Sequence, residues 1–278
     1  MGKSLSIIVL ILTIGAPKIS ESAFEFREVG AASAGLGGCG VGWMHGAEGL
    51  WWNPALVGQG ARTALSLSWV RPFSMEALST ETVSFVLPTP RIGFGWGLGF
   101  QSYGFSLYRE TTASLAGGRQ ITSALYAGLA IRQTRLSIRD FGDDRGLFVD
   151  AGLLAAVSET LHWGISLHNL SGSRIRGESS SQSLATGIAY RPTTSLTLCA
   201  DARKTLRFPL QIGAGAQIRL LPHFYLRTGM GNAPARFSIG GECQLRSAKL
   251  SYAAVNHFTL GFSHQVSLDW EIGNEPSP

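Results

Sequence analysis

A two-residue period runs through this chain from Arg62 almost to its C-terminus, and it leaves few folds open. Leu65, Leu67 and Trp69 alternate with Ser66 and Ser68, and Trp96, Leu98 and Phe100 alternate with glycines. Leu161, Trp163, Ile165 and Leu167 alternate with His162, Gly164, Ser166 and His168. Near the end, Phe262, Val266, Leu268 and Trp270 alternate with Ser263, Gln265, Ser267 and Asp269. One apolar face beside one small or polar face is the pattern of a β-strand. No helical period competes with it after Arg62.

Composition decides which way the apolar face points. The chain is 45% hydrophobic and 15% charged, which excludes a disordered chain. A soluble β-sandwich or barrel turns its apolar face inward and covers its outside with Lys and Glu. Here there are only four Lys in 278 residues. The charges fall instead on the small-residue face: Arg132, Asp150, Asp201, Arg203, Arg219, Arg227, Glu242 and Asp269. Lys or Arg on a lipid-facing strand position costs roughly 2–4 kcal/mol at mid-bilayer. The pattern therefore predicts an apolar face toward lipid and a polar lumen lined by these charges together with His162 and His168. His264 breaks the rule, in register with Phe262 and Val266. The longest apolar run, Ile7–Ala16, is about half the roughly 20 residues a membrane helix needs.

The links support a meander. Short links are expected near Pro88–Pro90, Gln133, Ser158-Glu159, Pro192-Thr193, Leu221-Pro222 and Arg246. Longer ones are expected at 71–79, 111–119, 141–146, 171–181, 204–207 and 231–234, with Asn256-His257 on the same side. With 91–110 taken as one strand the count is 14, an even number as in bacterial single-chain barrels. The fold expected is an all-β, 14-stranded, antiparallel, up-and-down transmembrane barrel over residues 62–272, followed by a polar tail, 273–278.

Lys3, the apolar stretch Ser6–Ala16 and the small residues Ser20, Ser22 and Ala23 predict a signal peptide over residues 1–23. Residues 24–61 then form a separate segment. Its part from 30 to 60 is rich in Gly and Ala, carries Trp43, Trp51 and Trp52, and has Glu48 as its one charge before Arg62. Irregular backbone at membrane depth survives where protein surrounds it, so this segment is expected as a small plug or hatch.

The run Gly30–Val57, GAASAGLGGCGVGWMHGAEGLWWNPALV, resembles the N-terminal signature of the PorV/PorQ family, relatives of the FadL-type outer-membrane barrels. Gly37-Gly38, Gly40-Val41, Ala47 and Trp52-Asn53-Pro54-Ala55-Leu56 carry the likeness. Further matches are His168–Gly172, Gly187–Pro192 with Leu196–Asp201, Leu250–Ala253 and Leu260–Leu268. Cys39 and the polar tail depart from the pattern. The resemblance implies a 14-stranded barrel with its N-terminal segment in the lumen and Trp52, Asn53, Pro54 and Ala55 as the plug motif. It implies an accessory or scaffold role in protein export across the outer membrane, or alternatively a FadL-like channel for small hydrophobic molecules.

Other chemistry is weakly represented. Gly35–Gly40 fits G-x-G-x-x-G, but no strand precedes it and the first Asp in the chain is Asp140. An outer-membrane lipid-modifying enzyme is a further alternative, because His162, Ser166 and His168 share a strand face; same-face neighbours point in parallel and seldom converge as base and nucleophile. Cys199 and Cys243 face opposite ways, so a disulfide between them is not expected. No cofactor or metal is called for, and the basic residues form no stripe for nucleic acid. The partners expected are outer-membrane lipid and lipopolysaccharide, with Arg174 and Arg176 placed to meet lipopolysaccharide phosphates, and a secretion-system component or a small hydrophobic ligand.

Overall fold

The computed structural model describes residues 25–44, 46–175 and 178–272. The expected signal peptide, the polar tail and Arg176 lie outside the described residues. The strands are β1 (Thr63–Arg71), β2 (Thr80–Thr89), β3 (Phe94–Gly104), β4 (Tyr108–Thr122), β5 (Leu125–Ile138), β6 (Gly142–Ala156) and β7 (Leu161–His168). A two-residue ribbon, β8 (Arg174–Ile175) and β9 (Glu178–Ser179), comes within the next link. Then come β10 (Ser183–Thr193), β11 (Leu196–Thr205), β12 (Leu210–Leu221), β13 (Phe224–Asn232), β14 (Ala235–Leu245), β15 (Ala248–His257) and β16 (Gly261–Ile272).

All but the ribbon form one closed antiparallel barrel of 14 strands in sequence order. β16 closes onto β1 in unbroken register from Thr63↔Ile272 to Arg71↔His264. Closure matters because hydrocarbon offers no partner to a free strand edge.

Alternation sets the two faces of the wall. Trp96, Leu98 and Phe100, Leu129 and Ile131, Ile188 and Tyr190, and Ile212 and Ile218 point outward and are exposed, as a lipid-facing belt requires. Ser66, Ser84, Ser114, Ser166, Ser238, Ser251 and Ser267 point inward and are buried. His264 does face outward; its Nδ1 lies 2.8 Å from the Tyr252 hydroxyl on β15, so the exception has a polar neighbour within the wall.

Several boundary expectations fail although the strand count holds; most of the expected link 141–146, for one, lies inside β6. Residues 111–119, expected as a long link, lie inside β4, and Gln133, expected at a turn, lies inside β5 opposite Leu147. The stretch 91–110 is not one strand: it turns at 105–107, where Phe105 N–H donates to Tyr108 O at 2.8 Å. Apart from Leu115, Thr111–Gly118 has small residues on both faces, so its alternation is almost invisible to a hydrophobicity reading. Two missed turns, at 105–107 and 123–124, and two false ones, at 111–119 and 133, cancel in the count.

The links do not alternate strictly in length: 105–107, 139–141 and 233–234 at one end are shorter than 90–93 and 157–160 at the other. Tight turns at 123–124, 194–195, 222–223 and 246–247 gather at the end where β1 begins, the turn end of the barrel. The links 72–79 and 169–182 lie at the opposite, loop end. Arg on the outer face should be costly. Leu129→Arg is expected to lose roughly 2–4 kcal/mol of stability, read by urea unfolding in lipid vesicles.

Candidate functional site

The lumen is occupied by the chain's own N-terminal segment. From Val29 to Val57 most described residues are buried, through α1 (Ala31–Gly35), α2 (Gly49–Trp52) and a 3-10 turn, Pro54–Gly58. These helices are too short to stand alone. They are held by wall side chains that reach the segment's backbone. Asp201 Oδ2 accepts from Gly40 N–H at 2.7 Å and Val41 N–H at 2.8 Å. Ser238 Oγ accepts from Gly37 N–H at 3.1 Å and donates to Gly35 O at 3.2 Å. Ser267 Oγ accepts from Ala31 N–H at 2.9 Å and donates to Glu48 Oε1 at 2.8 Å.

Glycines make that reach possible. A Cβ at Gly164 would stand 2.3 Å from Val41 O, and one at Gly215 would stand 2.5 Å from Leu36 O. Much of the glycine on the inward faces is a floor on which another backbone lies.

The motif residues Trp52, Asn53, Pro54 and Ala55 are all buried. Asn53 Nδ2 donates to Val41 O at 3.0 Å and to Leu153 O on β6 at 2.9 Å, while its Oδ1 accepts from Ala55 N–H at 3.0 Å and caps the 3-10 turn. Trp52 Nε1 donates to Val29 O at 2.8 Å. One asparagine thus ties two plug segments to the wall.

The predicted lumen charges separate into groups. Arg132 pairs with Asp150 at 2.7 Å, and His168 Nδ1 lies 3.0 Å from the other oxygen of Asp150. Ser166 Oγ lies 3.2 Å from His168 Nε2. Ser166 and His168 therefore do converge, contrary to expectation, because the Asp150 carboxylate on β6 turns the imidazole along the strand. Ser166 has 0% exposure under the seated plug, so no substrate reaches it there. Arg203 lies over the Phe26 ring at 3.4 Å. Toward the turn end, Arg227 pairs with Glu242 and also donates to Gln217 Oε1 at 2.7 Å. Asp269 lies on the inward face of β16 nearby, His162 is half-buried on β7, and Arg219 is exposed near the end of β12. Arg174 is exposed in the loop-end link. Glu28, Arg236 and the inward serines were missed; an inward-parity Ser inside an otherwise apolar strand was the available signal. Cys199 points inward beside Cys39 in the plug cluster, and Cys243 points outward.

The plug divides the lumen into two vestibules. The loop-end one, of about 750 Å³, is lined by Phe26, Val70, Phe73, Tyr103, Leu136 and Val255 together with Arg27, Glu28 and Arg236. Arg27 pairs with Glu110 at 2.7 Å and stacks on Tyr103 at 3.5 Å, and Arg236 pairs with Glu28. The turn-end vestibule, of about 450 Å³, is charged and lined by Glu48, Arg191, Arg227, Glu242, Lys249 and Asp269. A third depression, beside Trp96, Leu115, Leu129 and Ile131, lies on the lipid-facing exterior.

No family profile matches the sequence, and no curated protein is significantly similar to it. Solved structures do match. The monoaromatic hydrocarbon channel CymD superposes with a TM-score of 0.72 at 14% identity, covering 91% of this chain and 100% of that one. The toluene transporter TbuX of Ralstonia pickettii gives 0.70 at 13% identity, with 90% and 100% covered. A FadL homologue of Pseudomonas aeruginosa gives 0.62 at 9% identity, with 87% and 98% covered. The chain therefore has the FadL-like barrel fold.

Two tests probe how the plug is held. Asp201→Ala leaves two plug N–H groups without their acceptor, and about 2–5 kcal/mol of local stability should be lost; hydrogen exchange at Gly40 and Val41 reads it. Glu48, buried in the plug with Asp269 nearby, has its carboxyl pushed up to about 8 from 4.5. Between those values the seated plug holds a proton that the released one does not, so seating weakens as pH rises from about 4.5 to about 8 and levels off above. Exchange at 47–52, corrected for its intrinsic pH dependence, should rise across that window, and Glu48→Gln should flatten it.

Proposed function

We propose that this protein is an outer-membrane channel of FadL type that passes small hydrophobic molecules and is exported there by its N-terminal residues 1–23. The observation that carries this reading is the loop-end vestibule. It is a cavity of about 750 Å³ whose apolar side chains, Phe26, Val70, Phe73, Leu136 and Val255, lead down to the plug. Such a space suits a compact apolar guest. The named activities of the neighbours, a toluene transporter and a monoaromatic hydrocarbon channel, support the same direction.

The resemblance of Gly30–Val57 to PorV/PorQ favours a second reading, an accessory in protein export. The structural neighbours favour the channel over the scaffold. Proteoliposomes separate the two. The channel reading expects saturable uptake of toluene or a long-chain fatty acid above that of protein-free vesicles, and Val255→Arg, which places a charge in the vestibule, should reduce it several-fold. Uptake equal to protein-free vesicles, together with co-purification of a large secretion pore from the outer membrane, would favour the scaffold instead.

A further inference from the structure

The barrel wall carries a second charged feature, on its outer face and away from the lumen. Its apolar belt ends on β5 and β6 at the register pair Gln133↔Leu147, and the next outward pair toward the loop end is Arg135↔Arg145. That pair stands roughly 7 Å above Leu147, one two-residue repeat of a strand. Beside it on β4, Arg109 is opposite Ser137, which in turn is opposite Asp143 on β6. All three arginines are exposed. Three adjacent strands thus present Arg135 and Arg145 side by side and Arg109 one two-residue repeat nearer the loop end, with Arg139 in the turn above.

This arrangement does not stabilise the sheet. Like charges directly opposite one another on a strand pair are unfavourable. Asp143 pairs with Arg135 while the two side chains stay 49% and 39% exposed, and Asp144 Oδ1 accepts from Arg145 N–H at 2.7 Å. An exposed pair of this kind contributes little. The patch has net positive charge and an outward aspect just above an apolar belt. An external anion held at the boundary between hydrocarbon and water would relieve the repulsion. Phosphate is the anion best matched to the planar fork of arginine.

We propose that Arg109, Arg135 and Arg145 form a docking surface for the phosphate groups of an outer-leaflet glycolipid of the lipid A type. This rests on the outer-membrane placement proposed for the barrel. The acyl chains of such a lipid lie along the belt of Leu115, Ile131 and Leu147, and its phosphates lie level with the arginines.

The test uses the purified, folded barrel in a neutral detergent. Diphosphoryl lipid A is expected to raise its melting temperature and to bind saturably, weakening as salt is added. Arg145→Gln should weaken binding about tenfold, as loss of one charge-assisted contact predicts. The variant combining Arg109→Gln, Arg135→Gln and Arg145→Gln should abolish the shift, Arg145→Lys should restore part of it, and Arg119→Gln at the turn end should leave it unchanged. Equal binding of lipid A stripped of its phosphates would overturn the proposal. So would full retention by the triple variant. An equal shift from inorganic phosphate, or from phosphatidylglycerol, would show that the glycolipid is not the ligand. Sedimentation of wild-type membranes on a sucrose gradient reads the outer-membrane placement separately, so failure of that reading is distinguishable from failure of the site.

Discussion

Hydrocarbon gives a peptide N–H nothing to bond, so a sheet that crosses it must close, and closure governs the rest of this molecule's architecture. β16 meets β1 along their full length, which leaves no free edge in the barrel. With 14 strands the ring is wider than the eight-stranded barrels whose interiors side chains alone can fill. The apolar residues are already committed to the exterior by the belt. The inner face is therefore small and polar, and it encloses a space that it cannot itself pack. The N-terminal segment, which meets the ring through β1 at Thr63, fills that space. Closure and width together call for the plug.

The way it is held comes from the same division of faces. Apolar packing anchors this segment only in part, because the apolar side chains the wall offers inward are mostly small, such as Ala64, Ala116, Ala130, Ala185 and Ala253. The wall also offers Ser, Asp and Gly. Glycine lets the plug backbone lie close to the wall, and that closeness brings Asp201, Ser238 and Ser267 within reach of its N–H groups. Trp51 Nε1 donates to Ser84 Oγ on β2 at 2.8 Å, which uses a buried serine in the same way. Each buried polar group needs a partner, and plug and wall largely satisfy one another.

Alternation made the barrel legible in the sequence, since a lipid-facing strand has to keep its charges on alternate residues. The lumen placement of Asp150, Asp201, Arg203, Arg227 and Glu242 was readable for that reason. Turn positions between Arg91 and Gly146 were not, because the face pattern fixes parity and says little about where a small-residue strand ends. Thr111–Gly118 shows this: its residues suit a strand or a loop equally until pairing with Gln101 and Thr134 decides. Which inward groups meet was also hidden. Ser166, His168 and Asp150 share a face, but the turn of the imidazole toward Asp150 is set by register between β6 and β7 and by Asn169 N–H, which donates to Asp150 Oδ1 at 2.9 Å. The grip of Asp201 on Gly40 and Val41 joins residues 160 apart and leaves no local trace.

The strength of these attachments is uneven along the plug, and the unevenness bears on how anything could pass. Residues 25–28 form part of the floor of the loop-end vestibule and are tied to the wall by Arg27–Glu110 and Glu28–Arg236. The side chains of Arg27, Glu28 and Arg236 are 22%, 23% and 19% exposed, while Glu110 is buried at 3% and keeps the Tyr108 hydroxyl as a second partner. Such pairs are partly screened by water and are cheaper to exchange than fully buried contacts. Deeper down, Asn53, Asp201, Ser238 and Ser267 are buried, and breaking their bonds would strand donors and acceptors away from solvent. Motion is therefore easiest at residues 25–28, at the loop end, and hardest at Asn53-Pro54. A guest in the apolar vestibule would displace the 25–28 segment long before it expelled the plug as a body.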